Sequence, residues 1–507
     1  EPYRRQRQMC IRDSHNIDIM AGHESYSYTL KYQYAHKYNF YTIGNPEFNN
    51  AITMSDMNSY TQEHSMESFF GRVNYDFDNK YYLSASIRSD ESSKFHPDHR
   101  RGTFWSVGGS WRLTQEEFLK DVEWLSNLKL KASYGTQGND GILDINGYVV
   151  YQPYLKQYSV TNNNGDFSVV ETYRGNKDLT WEKSNNFNAG IEFGFWDIVS
   201  GNVEYFIKET KDLLYYKSMP PSAGLPNIIA VNDMSMKNSG IEAEVEVKII
   251  NTNNIKWNVS ANITKYKNEV TKLAEGKDPD GYYTGSYWRK VGGSLYDWYT
   301  YKYAGVDPAN GDALYYVDVT DEAGNTTIDT TNDPNKATRY QINKSAIPTL
   351  YGGIATTVEA YGFDLSIATA FQGGGYIMDS GYMALMGGGD AGTNWSPDIF
   401  NRWTPENANS NVPRVQQGYQ YANQSSDRFL TKNDCFSLKN VTLGYTLPKA
   451  LLNKVGIQSL RIYASGDNLY FTSKRQGLDP RQYMDGTMNA AAYSAIRTIS
   501  FGLNLNF

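Results

Sequence analysis

In the final nine residues, Ile499-Ser-Phe-Gly-Leu-Asn-Leu-Asn-Phe507, every odd position is large and apolar and every even one is Ser, Gly or Asn. Strict period-two alternation gives a β-strand one greasy face and one wet face. The same grammar recurs throughout the chain. Phe69, Gly71, Val73, Tyr75 and Phe77 oppose Arg72, Asn74 and Asp76; after the turn at Asp78-Asn79, Tyr81, Leu83, Ala85 and Ile87 resume the apolar face. Ile241 to Ile249 sets alternate aliphatics against Glu242, Glu244, Glu246 and Lys248, and Ile255 to Ile263 answers it. Gly352 to Ala360 and Phe363 to Phe371 make a third hairpin through Tyr361-Gly362. With the runs at 105–113, 128–134, 187–195, 203–207, 441–447 and 460–464, the pattern predicts about fifteen strands, most near the length that crosses a bilayer when tilted.

The connections alternate too. Those after Phe77, Trp196, Ile250 and Ala360 read as tight turns, whereas those after Ile87, Tyr134, Ile207, Ile263 and Phe371 are longer and rich in Asn, Gly, Ser and Tyr. Short turns on one side and long loops on the other are the pattern of an outer-membrane barrel. Thr114-Gln-Glu-Glu117 reads as a helix capping box, and Pro448-Lys449 as a helix start before 450–455. Aromatic residues crowd the strand ends near the turns, at Phe77, Tyr81, Tyr82, Trp196, Tyr361, Phe363 and Tyr445, as an interfacial girdle requires.

Composition narrows the choice. Charged residues are only 20% of the 507, and 42 Tyr, 21 Phe and 10 Trp argue against disorder. A formal net charge of -7 gives no electrostatic grip on nucleic acid. No apolar run approaches the ~18 residues of a membrane helix. Two cysteines make neither a disulfide framework nor a zinc pattern. Residues 1–14, with Arg4, Arg5, Arg7 and Arg12 and no periodicity, are expected to be an unstructured or foreign junction. Residues 15–507 are expected to be the C-terminal portion of a barrel with long extracellular loops.

Several blocks carry a more specific likeness: Ser68-Phe-Phe-Gly-Arg-Val-Asn-Tyr75, Gly102-Thr-Phe-Trp-Ser-Val-Gly-Gly-Ser-Trp-Arg112, Gly175-Asn-Lys-Asp-Leu-Thr-Trp-Glu182, Arg402-Trp-Thr-Pro-Glu-Asn407 and Leu438-Lys-Asn-Val-Thr-Leu-Gly-Tyr-Thr-Leu-Pro448. In this order, and with the terminal strand, they resemble the SusC/RagA-type TonB-dependent outer-membrane transporters. The resemblance implies an all-β antiparallel transmembrane barrel of 22 strands, of which this chain carries about fifteen and no plug. It further implies TonB–ExbB–ExbD as the energy source, acting through an N-terminal region with no counterpart here. A SusD-like surface lipoprotein as partner, outer-membrane lipid around the barrel, and an oligosaccharide or peptide as cargo also follow from it. The other reading kept open is a secreted or surface β-rich protein that binds or acts on carbohydrate.

Catalytic residues are not expected. Glu242, Glu244 and Glu246 lie about 7 Å apart along one strand face, within the carboxylate spacing of an inverting glycosidase, but they read as a polar lumen wall. His96 and His99 sit in a Pro-containing loop without fixed metal geometry. Asp307, Asn310 and Asp312 are the one weak Ca²⁺ candidate, and no cofactor is implied. Substrate contacts are expected from Tyr376, Tyr382, Trp395 and Trp403, aromatics set among amides and carboxylates as sugar or peptide sites require. The stripe Phe501, Leu503, Leu505 and Phe507 resembles the terminal signal that barrel-assembly machinery reads.

Overall fold

The computed structural model describes residues 3–10, 14–144, 147–224, 226, 228–387, 392–419, 421–452, 456–489 and 492–507. Its main sheet has fifteen strands, and neighbours in sequence are neighbours in the sheet. In order they are Tyr3–Cys10, His15–Phe40, Ala51–Phe77, Tyr81–Ser92, Arg101–Arg112, Leu125–Asn139, Glu182–Phe195, Val199–Ser218, Ile228–Asn251, Ile255–Lys272, Leu350–Ala360, Phe363–Gly373, Cys435–Thr446, Ser459–Ser473 and Thr498–Asn506. Two compact units divide the chain. The first comprises Glu1–Arg112, Lys131–Asn188 and Lys208–Ser235, and the second Leu113–Leu130, Ala189–Ile207 and Met236–Phe507.

Register follows the alternation. Val73 pairs with Ala85, Tyr75 with Leu83 and Phe77 with Tyr81, while Arg72 pairs with Ser86 and Asn74 with Ser84. Apolar therefore meets apolar and polar meets polar, because a slip of one residue would turn every side chain to the wrong face. The turns enforce that register. Asp78 and Asn79 both take positive φ between Phe77 O and Lys80 N, the geometry whose twist matches a hairpin. Tyr361-Gly362 repeats it. Trp196 and Asp197 also have positive φ, an uncommon backbone for a bulky residue. Trp196 lies against Phe195 and Trp124 with ring centroids 6.1 and 6.3 Å away, contacts that offset the strain.

Three expectations need correction. Tyr3–Cys10, expected to lack structure, is a strand paired antiparallel from Tyr3↔His23 to Cys10↔Asn16. An unpaired strand edge recruits a neighbour through its main chain, so side-chain alternation is not required. Residues 1, 2 and 11–13 of that segment lie outside the described residues. Strand lengths also exceed the expected ten or so: Ala51–Phe77 has 27 residues and Ile228–Asn251 has 24. Alternation marks only the part with a greasy face, whereas the hydrogen-bond ladder continues beyond it. Thr114 does not cap a helix. Leu113–Gln115 is a single 3₁₀ turn, and the Thr114 hydroxyl has no hydrogen-bond partner. Lys449–Leu452 is helical as expected, while 453–455 lie outside the described residues.

Each unit has a core away from the greasy faces. In the first, Leu179 and Trp181 pack with Phe95 and Phe104, and the Trp181 ring centroid lies 5.5 and 5.4 Å from theirs. In the second, smaller sheets between residues 282 and 345 and the loop after Gly373 enclose Trp298, Met386 and Phe429. Many strand residues with apolar side chains are instead exposed, among them Leu83, Ile87, Val107, Ile241, Ile354 and Leu443. Patches of this kind belong against lipid or a partner rather than water.

Candidate ligand-binding surfaces

In the first unit the wet strand faces form a hydroxyl-rich wall. A cavity of about 830 Å³ lies over it, with Arg72, Ser84, Ser86, Arg88, Ser106 and Ser133 among its lining. Ser86 and Ser106 Oγ atoms are 2.7 Å apart across the strands. Arg88 is tethered on several sides: Nη2 donates to Glu24 Oε2 at 3.0 Å and Ser68 Oγ at 2.9 Å, and Nε donates to Asp90. Its guanidinium also stands 5.4 Å from the Phe70 ring centroid. A charge so tied is a fixture of the wall, and the hydroxyls are what it offers to a polar solute.

In the second unit the row Glu242, Glu244, Glu246 is exposed, and Asn202 Nδ2 donates to Glu244 Oε2 at 3.4 Å.

The four aromatics expected to touch substrate are distributed over three settings. Tyr376 and Tyr382 pack against the loop core around Trp298, whose Nε1 donates to Tyr376 O at 2.8 Å. Lys344 Nζ stands 4.7 Å over the Tyr376 ring. The Tyr382 hydroxyl donates to Asp398 Oδ2 at 2.7 Å, and Arg475 covers its ring at 4.9 Å. Burial first, and the Asp398 carboxylate second, push the Tyr382 hydroxyl up to about 12. Trp403 is tied elsewhere, its Nε1 donating to Pro308 O at 3.2 Å. A Cβ at Gly311, where φ is +80°, would meet Trp403 Cε3 at 2.5 Å, so only glycine fits beneath that ring. Trp395 bonds to Thr393 Oγ1 at 2.9 Å and keeps 39% of its surface exposed.

The candidate Ca²⁺ oxygens of Asp307, Asn310 and Asp312 have partners within the fold. Asp307 Oδ1 accepts from Ala309 N at 2.9 Å and Asn310 Oδ1 from Asp312 N at 2.8 Å. Asp312 Oδ2 accepts from Asn332 Nδ2 at 2.8 Å, and its Oδ1 lies 2.9 Å from Arg414 Nη2. Among the described residues no group of three or more His, Cys, Asp or Glu is placed to hold a metal. Sequence reasoning missed Asp379, which accepts from Tyr382 N at 2.9 Å as the helix Ser380–Leu385 begins. The available signal was an Asp directly before a short helical run.

At the C-terminus, Leu505 pairs with Leu460, Leu503 with Ile462 and Phe501 with Ala464. Phe501, Leu503 and Phe507 are exposed, as a lipid-facing stripe requires.

Residues 7–312 match the family described as TonB dependent receptor-like, beta-barrel. TonB-dependent receptor SusC of Bacteroides thetaiotaomicron is 30% identical over 90% of this chain and 45% of that protein. TonB-dependent receptor P3 of Formosa agariphila is 27% identical over 97% and 51%. The chain thus spans about half the length of these curated relatives. The solved structure of the RagAB peptide transporter superposes with a TM-score of 0.88 at 27% identity, covering 100% of this chain and 55% of that one. The fold of this chain is the all-β fold of those barrels. The chain belongs to the TonB-dependent receptor-like β-barrel family of the outer membrane.

Proposed function

We propose that this chain is a barrel portion, strand Tyr3–Cys10 included, of a receptor that imports oligosaccharides or peptides. In this reading TonB–ExbB–ExbD drives uptake through segments beyond this chain, a SusD-like lipoprotein closes the outer face, and the long loops lie outside the cell. The observation that carries it is the likeness to the RagAB peptide transporter along the whole chain, at a TM-score of 0.88. The hydroxyl-rich wall and the aromatic loops support cargo of that kind, since amides and hydroxyls bind sugars and peptides alike. Tyr376, Tyr382, Trp395 and Trp403 are its proposed contacts, with Trp395 presenting the most open ring. The test is uptake of labelled peptides and oligosaccharides by cells carrying the receptor, with and without TonB. Uptake of neither, or uptake indifferent to TonB, overturns the proposal.

A further inference from the structure

A second cavity, about 550 Å³ and wholly within the second unit, lies where the strands around Glu242 and Tyr266 meet the segment at Arg481 and Tyr483. That volume suits a small ligand or one residue of a longer one. Phe206, Tyr266, Tyr351 and Tyr483 give it aromatic walls. Tyr266 and Tyr351 hold each other edge to face at 5.9 Å and 76°.

Most of its polar groups are already engaged. Arg481 lines the cavity, but its Nε and Nη2 donate to the two oxygens of Asp479 at 2.7 and 2.6 Å, and its guanidinium lies 4.3 Å from the Phe471 ring centroid. Asn433 donates to Ala346 O at 3.1 Å and accepts from Gly375 N at 2.9 Å. Asn238 accepts from Asn268 Nδ2 at 2.8 Å. Among the described residues, Glu242 alone of the lining groups carries a charge with no hydrogen bond or ion pair.

Resting on the import reading, we propose that this cavity is a subsite for a protonated amine on the cargo, with Glu242 as its counter-ion. Glu242 offers two acceptor oxygens, and the aromatic walls suit a cation and its aliphatic or ring carbons. With Arg481 neutralised by Asp479, an anionic group would meet only the repulsion of Glu242. The amine can come from a basic peptide side chain or from an amino sugar.

The test is calorimetry on the receptor in detergent at pH 7 with two matched pairs of probes. One pair is an end-blocked Leu-Lys-Leu peptide and its norleucine counterpart; the other is a glucosamine trimer and its N-acetylated form. The amine member of at least one pair should bind about tenfold or more tightly than its neutral partner, the scale of one charge-assisted hydrogen bond. Whichever pair shows the preference names the source. Glu242→Gln should abolish the preference and leave the neutral member unchanged. Glu244→Gln, on the same strand face but outside the cavity lining, should preserve it. Equal affinities within both pairs, binding of no probe, or a preference that survives Glu242→Gln overturns the subsite. Neutral probes that bind without amine preference sink the subsite and leave the import reading standing.

Discussion

Arg475 reaches Asp379, 96 residues away in sequence, with a two-pronged hydrogen bond: Nη2 to Oδ1 at 2.8 Å and Nε to Oδ2 at 2.9 Å. Asp379 is fully buried, and it also receives the Tyr382 amide, so one carboxylate joins two loops and starts a helix. Asp379→Ala should destabilise this loop region by about 3 kcal/mol, the low end for breaking a buried pair, since Arg475 can still turn to water. Hydrogen exchange should quicken at the amides of Tyr382 and Met383 and stay slow in the strand Leu350–Ala360. Unchanged protection around Tyr382 would mean that the apolar core alone holds the loop.

Val245 and Glu244 are neighbours on opposite strand faces, and Glu244 takes a hydrogen bond from Asn202 on the wet side. A lysine at Val245 should cost roughly 2–4 kcal/mol if that face meets the bilayer interior. A lysine at Glu244 should cost little. Unfolding of both variants in lipid checks the pair, and equal losses would contradict the facing.

The Tyr382 hydroxyl gives the loop core an alkaline limit. Its folded value of about 12 lies above the unfolded value of about 10, so the folded loop holds the proton more tightly. The stability it contributes is fully present below pH ~10 and is lost as pH rises toward ~12. Protease susceptibility of the 374–434 segment should therefore climb through that window. Tyr382→Phe should start less protected and show a smaller rise; an identical rise would assign the transition to other groups.

What could be read in the sequence depends on the range of the interaction. Hairpins such as Phe77–Tyr81 and Ala360–Phe363 are local, so alternation and a turn announce them; thirteen of the fifteen strands of the main sheet carry such a run, and His15–Phe40 and Tyr3–Cys10 do not. The strand Tyr3–Cys10 escaped because main-chain pairing places few demands on side chains. The loops escaped because distant partners organise them: Arg475 with Asp379, and Tyr287, whose hydroxyl donates to Asp485 O across 198 residues. The four aromatics looked alike in sequence, yet Trp403 rests on Gly311 while Trp395 stays half-open.

That difference separates the two tryptophans experimentally. Replacing both with Ala should weaken cargo binding by about 1–3 kcal/mol, the scale of one or two large buried side chains. Trp395→Ala alone should lose binding with little change in loop stability. Trp403→Ala should instead loosen the turn at 307–312, because it removes the ring that covers Gly311. Calorimetry and hydrogen exchange on each single variant check this, and unchanged affinity in the double variant would leave both residues with packing roles only.

Phe507 is 80% exposed just beyond the strand Thr498–Asn506. That strand is held to Ser459–Ser473 by main-chain pairing, and Asn506 Nδ2 donates to Ser459 Oγ at 2.7 Å. Phe507 takes no part in that pairing, so its removal should cost a finished barrel little. If the stripe Phe501, Leu503, Leu505 and Phe507 is also what assembly machinery reads, the loss should appear in yield. Deleting Phe507 should then lower outer-membrane abundance severalfold, while the surviving protein melts within a few degrees of the parent. Normal abundance would refute the signal. A large drop in melting temperature would show that the residue acts through stability, as an aromatic anchor at the membrane rim.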